Sequence, residues 1–183
     1  PGFKMSVASA IRVAMGLPMI DIMEELLRKT RPYELEQGSA QRAFDAGLQA
    51  IADGMRESGV HGAKRGFKKA IELMKDVSYD RSRPRPTVLI VGEYLLNFHP
   101  GANREIERYL EANGFEIIEA RMTDVIRKTY FYQRSQQREY KVHRSLPVKL
   151  TNTISDSFFN LAHNAADKIA KAHPLYTPPC RMP

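Results

Sequence analysis

The sequence predicts an α/β fold, a helix-rich chain that carries one β-α-β unit of a small parallel sheet. Three observations lead there. Apolar residues recur at helical spacing up to Met74. Thr87-Val88-Leu89-Ile90-Val91 is a β-branched run short enough for a strand and apolar enough to be buried on both faces. A second apolar run, Phe115 to Ile118, follows after a stretch that reads as helix.

The elements divide the chain into a helical region (1–80), a linker (81–86), a β-α-β core (87–122) and a helical extension with a Pro-rich tail (123–183). Pro18 suits a first helical turn, and Asp21, Glu24 and Glu25 early with Arg28 and Lys29 late complement the helix dipole, so a helix is expected from Pro18 to Lys29. Those acids are explained by the dipole rather than by a metal. Ser39 can cap a second helix, with Phe44, Leu48, Ile51 and Met55 inward, which Gly59 and Gly62 should break. Phe67, Ala70, Ile71 and Met74 repeat the pattern. In the linker Arg81, Arg83 and Arg85 alternate with residues that include Pro84 and Pro86, a composition that disfavours helix.

After the Thr87 strand, Pro100 and Gly101 mark a loop, and Asn103 to Asn113 reads as a helix with Ile106, Tyr109 and Leu110 inward and Gly114 as its left-handed cap. With Phe115 to Ile118 this completes a β-α-β unit, since a crossover helix is the expected link between parallel strands. Helix resumes from Thr123, is interrupted near Pro147, and a last helix carries Phe158, Leu161, Ala165 and Ile169 on one face before His173-Pro174 and the exit at Pro178-Pro179. Two strands make a thin sheet. Further strands would have to come from Met5 to Val13 and Val148 to Leu150, or from a longer chain of which this one is a fragment.

Composition narrows the function. At 183 residues and 43% hydrophobic the chain can bury a core, and nothing approaches the roughly 18 consecutive apolar residues of a membrane span, so a cytoplasmic protein is expected. One cysteine, Cys180, allows no internal disulfide and no self-sufficient cluster, so the chain is expected to carry no metal or cofactor of its own. The net charge is +7, and eight basic residues between Arg121 and Lys149 face only Asp124 and Glu139. Tyr130, Tyr132, Arg134, Arg138, Tyr140 and Arg144 interleave there, a pattern that suits a protein interface and, as the alternative, nucleic acid.

In an open α/β sheet ligands bind beyond the carboxyl ends of the strands, here between Gly92 and Asn103. Gly92 allows close approach, Glu93 can accept hydrogen bonds or cap the loop, and Asn97, His99 and Asn103 offer neutral polar contacts. Neither a Gly-x-Gly-x-x-Gly nor a Walker pattern is present, which argues against an ATP or dinucleotide site. The phosphates of a CoA-like ligand would approach Gly92 and the helix start near Asn103, with Glu93 opposing them.

Arg83-Pro84-Arg85-Pro86-Thr87-Val88-Leu89-Ile90-Val91-Gly92-Glu93-Tyr94, continuing to Asn103 and Leu110-Glu111-Ala112-Asn113-Gly114, resembles 2-hydroxyacyl-CoA dehydratase-like proteins. Arg31-Pro32-Tyr33-Glu34 fits as well. The similarity is to the dehydratase-like region of acyl-CoA dehydratase activase proteins, related to 2-hydroxyglutaryl-CoA dehydratase components. The resemblance implies flavodoxin-like subdomains, ATP-driven electron activation and dehydration of a 2-hydroxyacyl-CoA at a 4Fe-4S cluster. The cluster cysteines and the nucleotide motifs are absent from this chain, so the resemblance points to a non-catalytic or partial module. Its partners would be the remaining domains or dehydratase subunits, and a CoA thioester is a candidate ligand.

Overall fold

In the computed structural model, which describes residues 6–126 and 146–178, the first helix is longer than its dipole signals suggest. Ser6 caps α1 (Val7–Thr30) by accepting from the Ser9 N–H at 3.1 Å, and the helix runs through Pro18. Pro18 is fully buried and interior, so it withholds an N–H from Ala14 without ending the helix. The Met5 to Val13 segment is therefore helical from Val7, not a strand.

A 3₁₀ turn, Arg31–Tyr33, leads to α2 (Ser39–Lys75). This element is two arms folded back on each other. Ser58 and Gly59 leave helical geometry, Gly59 at φ +57, and beyond them Gly62 lies on Gly54, Gly66 on Ala50 and Ala70 on Gly47. Gly59 breaks the helix as the sequence suggests, but Gly62 does not. It belongs to a seam of small residues whose backbones touch, where any side chain would push the arms apart.

The core lies between this hairpin, α1 and α5 (Leu146–Ala170). Met19, Ile22, Met23 and Leu26 of α1 meet Phe67, Ile71 and Met74 of the second arm, all essentially inaccessible. Each such side chain stabilises the fold by roughly 1.5–3 kcal/mol through burial. α5 packs through Ala162, Ala166 and Ala170, with Ile169 of the expected apolar face half-buried against the core, whereas Leu161 of that face is 62% exposed. Small residues four apart let the helix axes approach closely. Val148 to Leu150 lies in this helix and is no strand, and Pro147 sits in its first turn.

β1 (Thr87–Ile90) and β2 (Glu116–Glu119) form a two-stranded parallel sheet, with Thr87 opposite Glu116 and Ile90 opposite Glu119. The crossover contains two short helices, α3 (Tyr94–Phe98) and α4 (Ile106–Ala112), in place of the single helix from Asn103. Arg104 and Glu105 both adopt φ 56 and redirect the chain between them. Gly114, at φ +88, ends α4. β1 is not buried on both faces: Leu89 is 59% exposed and Val91 75%, and Ile118 of β2 is 49% exposed beside them. Among the described residues the helices cover only one side of this sheet.

The connection before β1 is pinned rather than loose. Tyr33 donates its hydroxyl to Glu116 at 2.7 Å and accepts from the Arg85 N–H at 2.9 Å. The Arg81 guanidinium lies 4.1 Å from the Tyr33 ring centre and also reaches Glu116 at 2.7 Å. Among the described residues no helix is long and apolar enough to cross a membrane. The Tyr/Arg stretch from Tyr130 to Arg144, and Cys180, lie outside the described residues.

Candidate functional site

α1, the start of α2, the crossover and the carboxyl end of β2 line a half-open cavity of about 440 Å³. One wall is apolar, formed by Leu17, Ile20, Phe44 and Phe98. The other is charged, and its order begins with Arg28 in the last turn of α1. That guanidinium, 7% exposed, contacts Glu119 at 3.0 Å, Glu107 at 3.4 Å and Glu24 at 3.7 Å. Arg31 continues the row, binding Glu111 through two nitrogens at 2.6 and 2.8 Å and Glu107 at 3.4 Å. Glu107 and Glu111 sit one helical turn apart on α4, so a single face of that helix meets both arginines.

Glu119 is the most constrained group of the row. Its side chain is 2% exposed, Oε2 is held by Arg28, and Oε1 has no hydrogen-bond partner. Burial pushes its carboxyl up to about 7; Arg28 opposes that rise, while the neighbouring Glu107 and Glu24 add to it. Glu24 is likewise raised, first by burial, then by the negative charges of Asp21 and Glu107, against the pull of Arg28. Glu107 and Glu119 share one guanidinium nitrogen. Glu119 can therefore take up or release a proton near neutrality, or accept a hydrogen bond from a ligand.

Asp21 serves structure instead. It is buried, accepts from the N–H groups of Met122 and Thr123 at 3.1 and 2.9 Å and from the Thr123 hydroxyl, and so starts the helical turn 122–126. Glu25 is occupied by Lys29 and Arg121, and Arg121 also donates to the Thr177 carbonyl, which fastens the tail to α1. Arg121 is thus engaged by a carboxylate.

The residues singled out in the sequence separate into two groups. Asn97, 9% exposed, and Asn103 line the cavity; the Asn103 amide donates to the Asn97 carbonyl at 3.4 Å and its Oδ1 is buried without a partner. Gly92, Glu93 and His99 are exposed and do not line it. Glu93 caps α3, accepting from the Leu95 N–H at 3.0 Å, and His99 Nδ1 accepts from the Ala102 N–H at 3.2 Å. The helix start offered to a phosphate has moved to Ile106, with Glu105 and Glu107 beside it, and both acids line the cavity. An anion would meet repulsion there.

Sequence reasoning missed Arg28, Arg31, Glu107, Glu111 and Glu119. The available signals were the glutamate pair four residues apart on α4 and an acid closing an apolar strand. Among the described residues no group of three or more His, Cys, Asp or Glu side chains is placed to hold a metal ion. In comparison with known proteins, no family model matches the chain, and neither a curated protein nor a solved structure is significantly similar to it.

Proposed function

We propose that this chain is a non-catalytic module of a 2-hydroxyacyl-CoA dehydratase/activase-type protein, joined to the remaining parts through the open face of its sheet. The carrying observation is the sheet. Two parallel strands leave Leu89, Val91 and Ile118 exposed beside one another, an apolar face of the kind a flavodoxin-like domain covers with further strands or helices. The resemblance of Arg83 to Gly114 to dehydratase-like proteins supports the same reading. In it the 4Fe-4S cluster, ATP and the acyl-CoA are handled by the other parts. The acid-rich cavity agrees with that division, since it disfavours the phosphates of a CoA thioester.

The test mixes the purified chain with a 2-hydroxyacyl-CoA dehydratase and its activase and follows association by sedimentation velocity. A stoichiometric complex is expected, weakened about tenfold or more by Leu89→Lys with Ile118→Lys, because a lysine amine cannot be buried there unpaired. Absence of a complex at concentrations of about 50 μM, well above the Kd of ordinary specific interfaces, contradicts the proposal. The +7 charge favours a second reading, a basic nucleic-acid-binding module. Oligonucleotide binding that weakens steeply with salt, without a dehydratase complex, would establish that alternative.

A further inference from the structure

The charged end of the cavity holds more acid than base. Among its lining residues Asp21, Glu24, Glu105, Glu107 and Glu119 stand against Arg28, Arg31 and Arg108, five carboxylates to three guanidiniums. The surplus is not exposed to water at Glu119, whose side chain is 98% buried (100 less the 2% exposed) and whose Oε1 has no donor. An unpartnered carboxylate oxygen in such surroundings is costly unless a proton or a cation accompanies it. A second acceptor, Asn103 Oδ1, is also buried and unmatched in the same cavity. Its orientation is fixed, because the amide nitrogen donates to the Asn97 carbonyl. Arg108, the remaining cation of the wall, already donates to Gln41 at 2.8 Å.

At Glu119 Oε1 and Asn103 Oδ1 the cavity therefore lacks hydrogen-bond donors, and its other wall is apolar. Its volume of about 440 Å³ far exceeds a water molecule's share of roughly 30 Å³, so it has room for a small organic molecule. We propose that it binds a small aliphatic primary amine as the ammonium ion, which supplies the donors that Glu119 Oε1 and Asn103 Oδ1 lack while its alkyl chain lies against Leu17, Ile20, Phe44 and Phe98. Ammonium and proton compete for the same carboxylate. Binding is then weaker in acid and releases a proton near neutrality, in keeping with the raised carboxyl of Glu119.

The experiment is an NMR titration of the full chain with n-butylammonium chloride, with n-butanol as the uncharged control of similar shape. The amine is expected to shift the Asn97 and Asn103 side-chain amides, with affinity falling about 30-fold between about pH 8 and about pH 5.5 as Glu119 is protonated. Glu119→Gln should weaken binding about tenfold and remove most of that pH dependence. Asn103→Ala, on a half-buried loop, provides a second variant that leaves the core intact and should weaken binding several-fold. Shifts of equal size with butanol, an affinity independent of pH, or no shift at about 50 mM amine would each overturn the proposal.

Discussion

Gly62→Ala is expected to destabilise the chain by about 3 kcal/mol or more, a large fraction of the roughly 5–15 kcal/mol that holds a domain folded. The added Cβ would lie 1.9 Å from the Gly54 carbonyl oxygen and 2.6 Å from its carbon. Both obstacles are backbone, so no side-chain rotation relieves the clash and the hairpin arms must separate. Separation breaks the packing of Phe67, Ala70 and Ile71 on α1, since these residues share an arm with Gly62. Gly16→Ala is the contrasting substitution. Its Cβ would meet only the Met55 methyl at 3.7 Å, an ordinary contact, and alanine is the better helix former by about 0.5–1 kcal/mol. Urea denaturation followed by circular dichroism should thus give a large loss for one glycine and none, or a small gain, for the other. Equal effects would contradict the seam.

Arg28→Ala is expected to cost about 3–5 kcal/mol at about pH 8, because it removes the cation that Glu119, Glu107 and Glu24 share. The loss should depend on pH in a definite direction. Glu119 has its folded value raised to about 7 from an ordinary 4.5, so it contributes stability that is fully present below about 4.5 and is lost as pH rises through 7. Removing the arginine raises the folded value further and enlarges the loss at high pH. Acidification protonates the stranded carboxylates, and the variant should approach the parent below about pH 5. His173 has the opposite sign: burial depresses it, so its contribution is present above its ordinary 6.5 and is lost as pH falls toward the depressed value. It is common to both proteins, so the difference between their melting curves isolates the Arg28 cluster. A deficit that stays constant from about pH 5 to about pH 8 would show that Arg28 acts through packing alone.

Much of the local structure was legible because it follows from neighbours in the chain. The β-branched run at Thr87, the left-handed Gly114 and the apolar spacing of Phe67, Ile71 and Met74 each write one element into a few consecutive residues. What escaped depends on residues far apart. Gly62 carries the signature of a helix breaker, and only its contact with Gly54 across the hairpin makes it an interior helical residue. Asp21 reads as a dipole acid until Ser6 is seen to start the helix fifteen residues earlier (21 less 6), which frees Asp21 to hold the turn at Met122. The strand at Thr87 looks fully buried by composition, whereas the fold covers one side of it.

The candidate site shows the same division. Asn97 and Asn103 could be found from topology, since the carboxyl ends of parallel strands are where α/β folds open toward ligands. Arg28 and Glu119 are 91 positions apart, and Arg31 and Glu111 are 80 apart, so no spacing in the sequence advertises either pair. Their burial is what raises Glu119 and leaves Oε1 unmatched.

The module reading is tested most directly by hydrogen exchange on the sheet. The chain is labelled alone and again with a 2-hydroxyacyl-CoA dehydratase and its activase, and amide exchange is read over Thr87–Ile90 and Glu116–Glu119. Completion of the sheet by the other parts should slow exchange in both strands by about tenfold or more while the amides of the α2 hairpin stay unchanged. Strand amides that exchange at the same rate in both samples, at concentrations where the components are saturated, would contradict it.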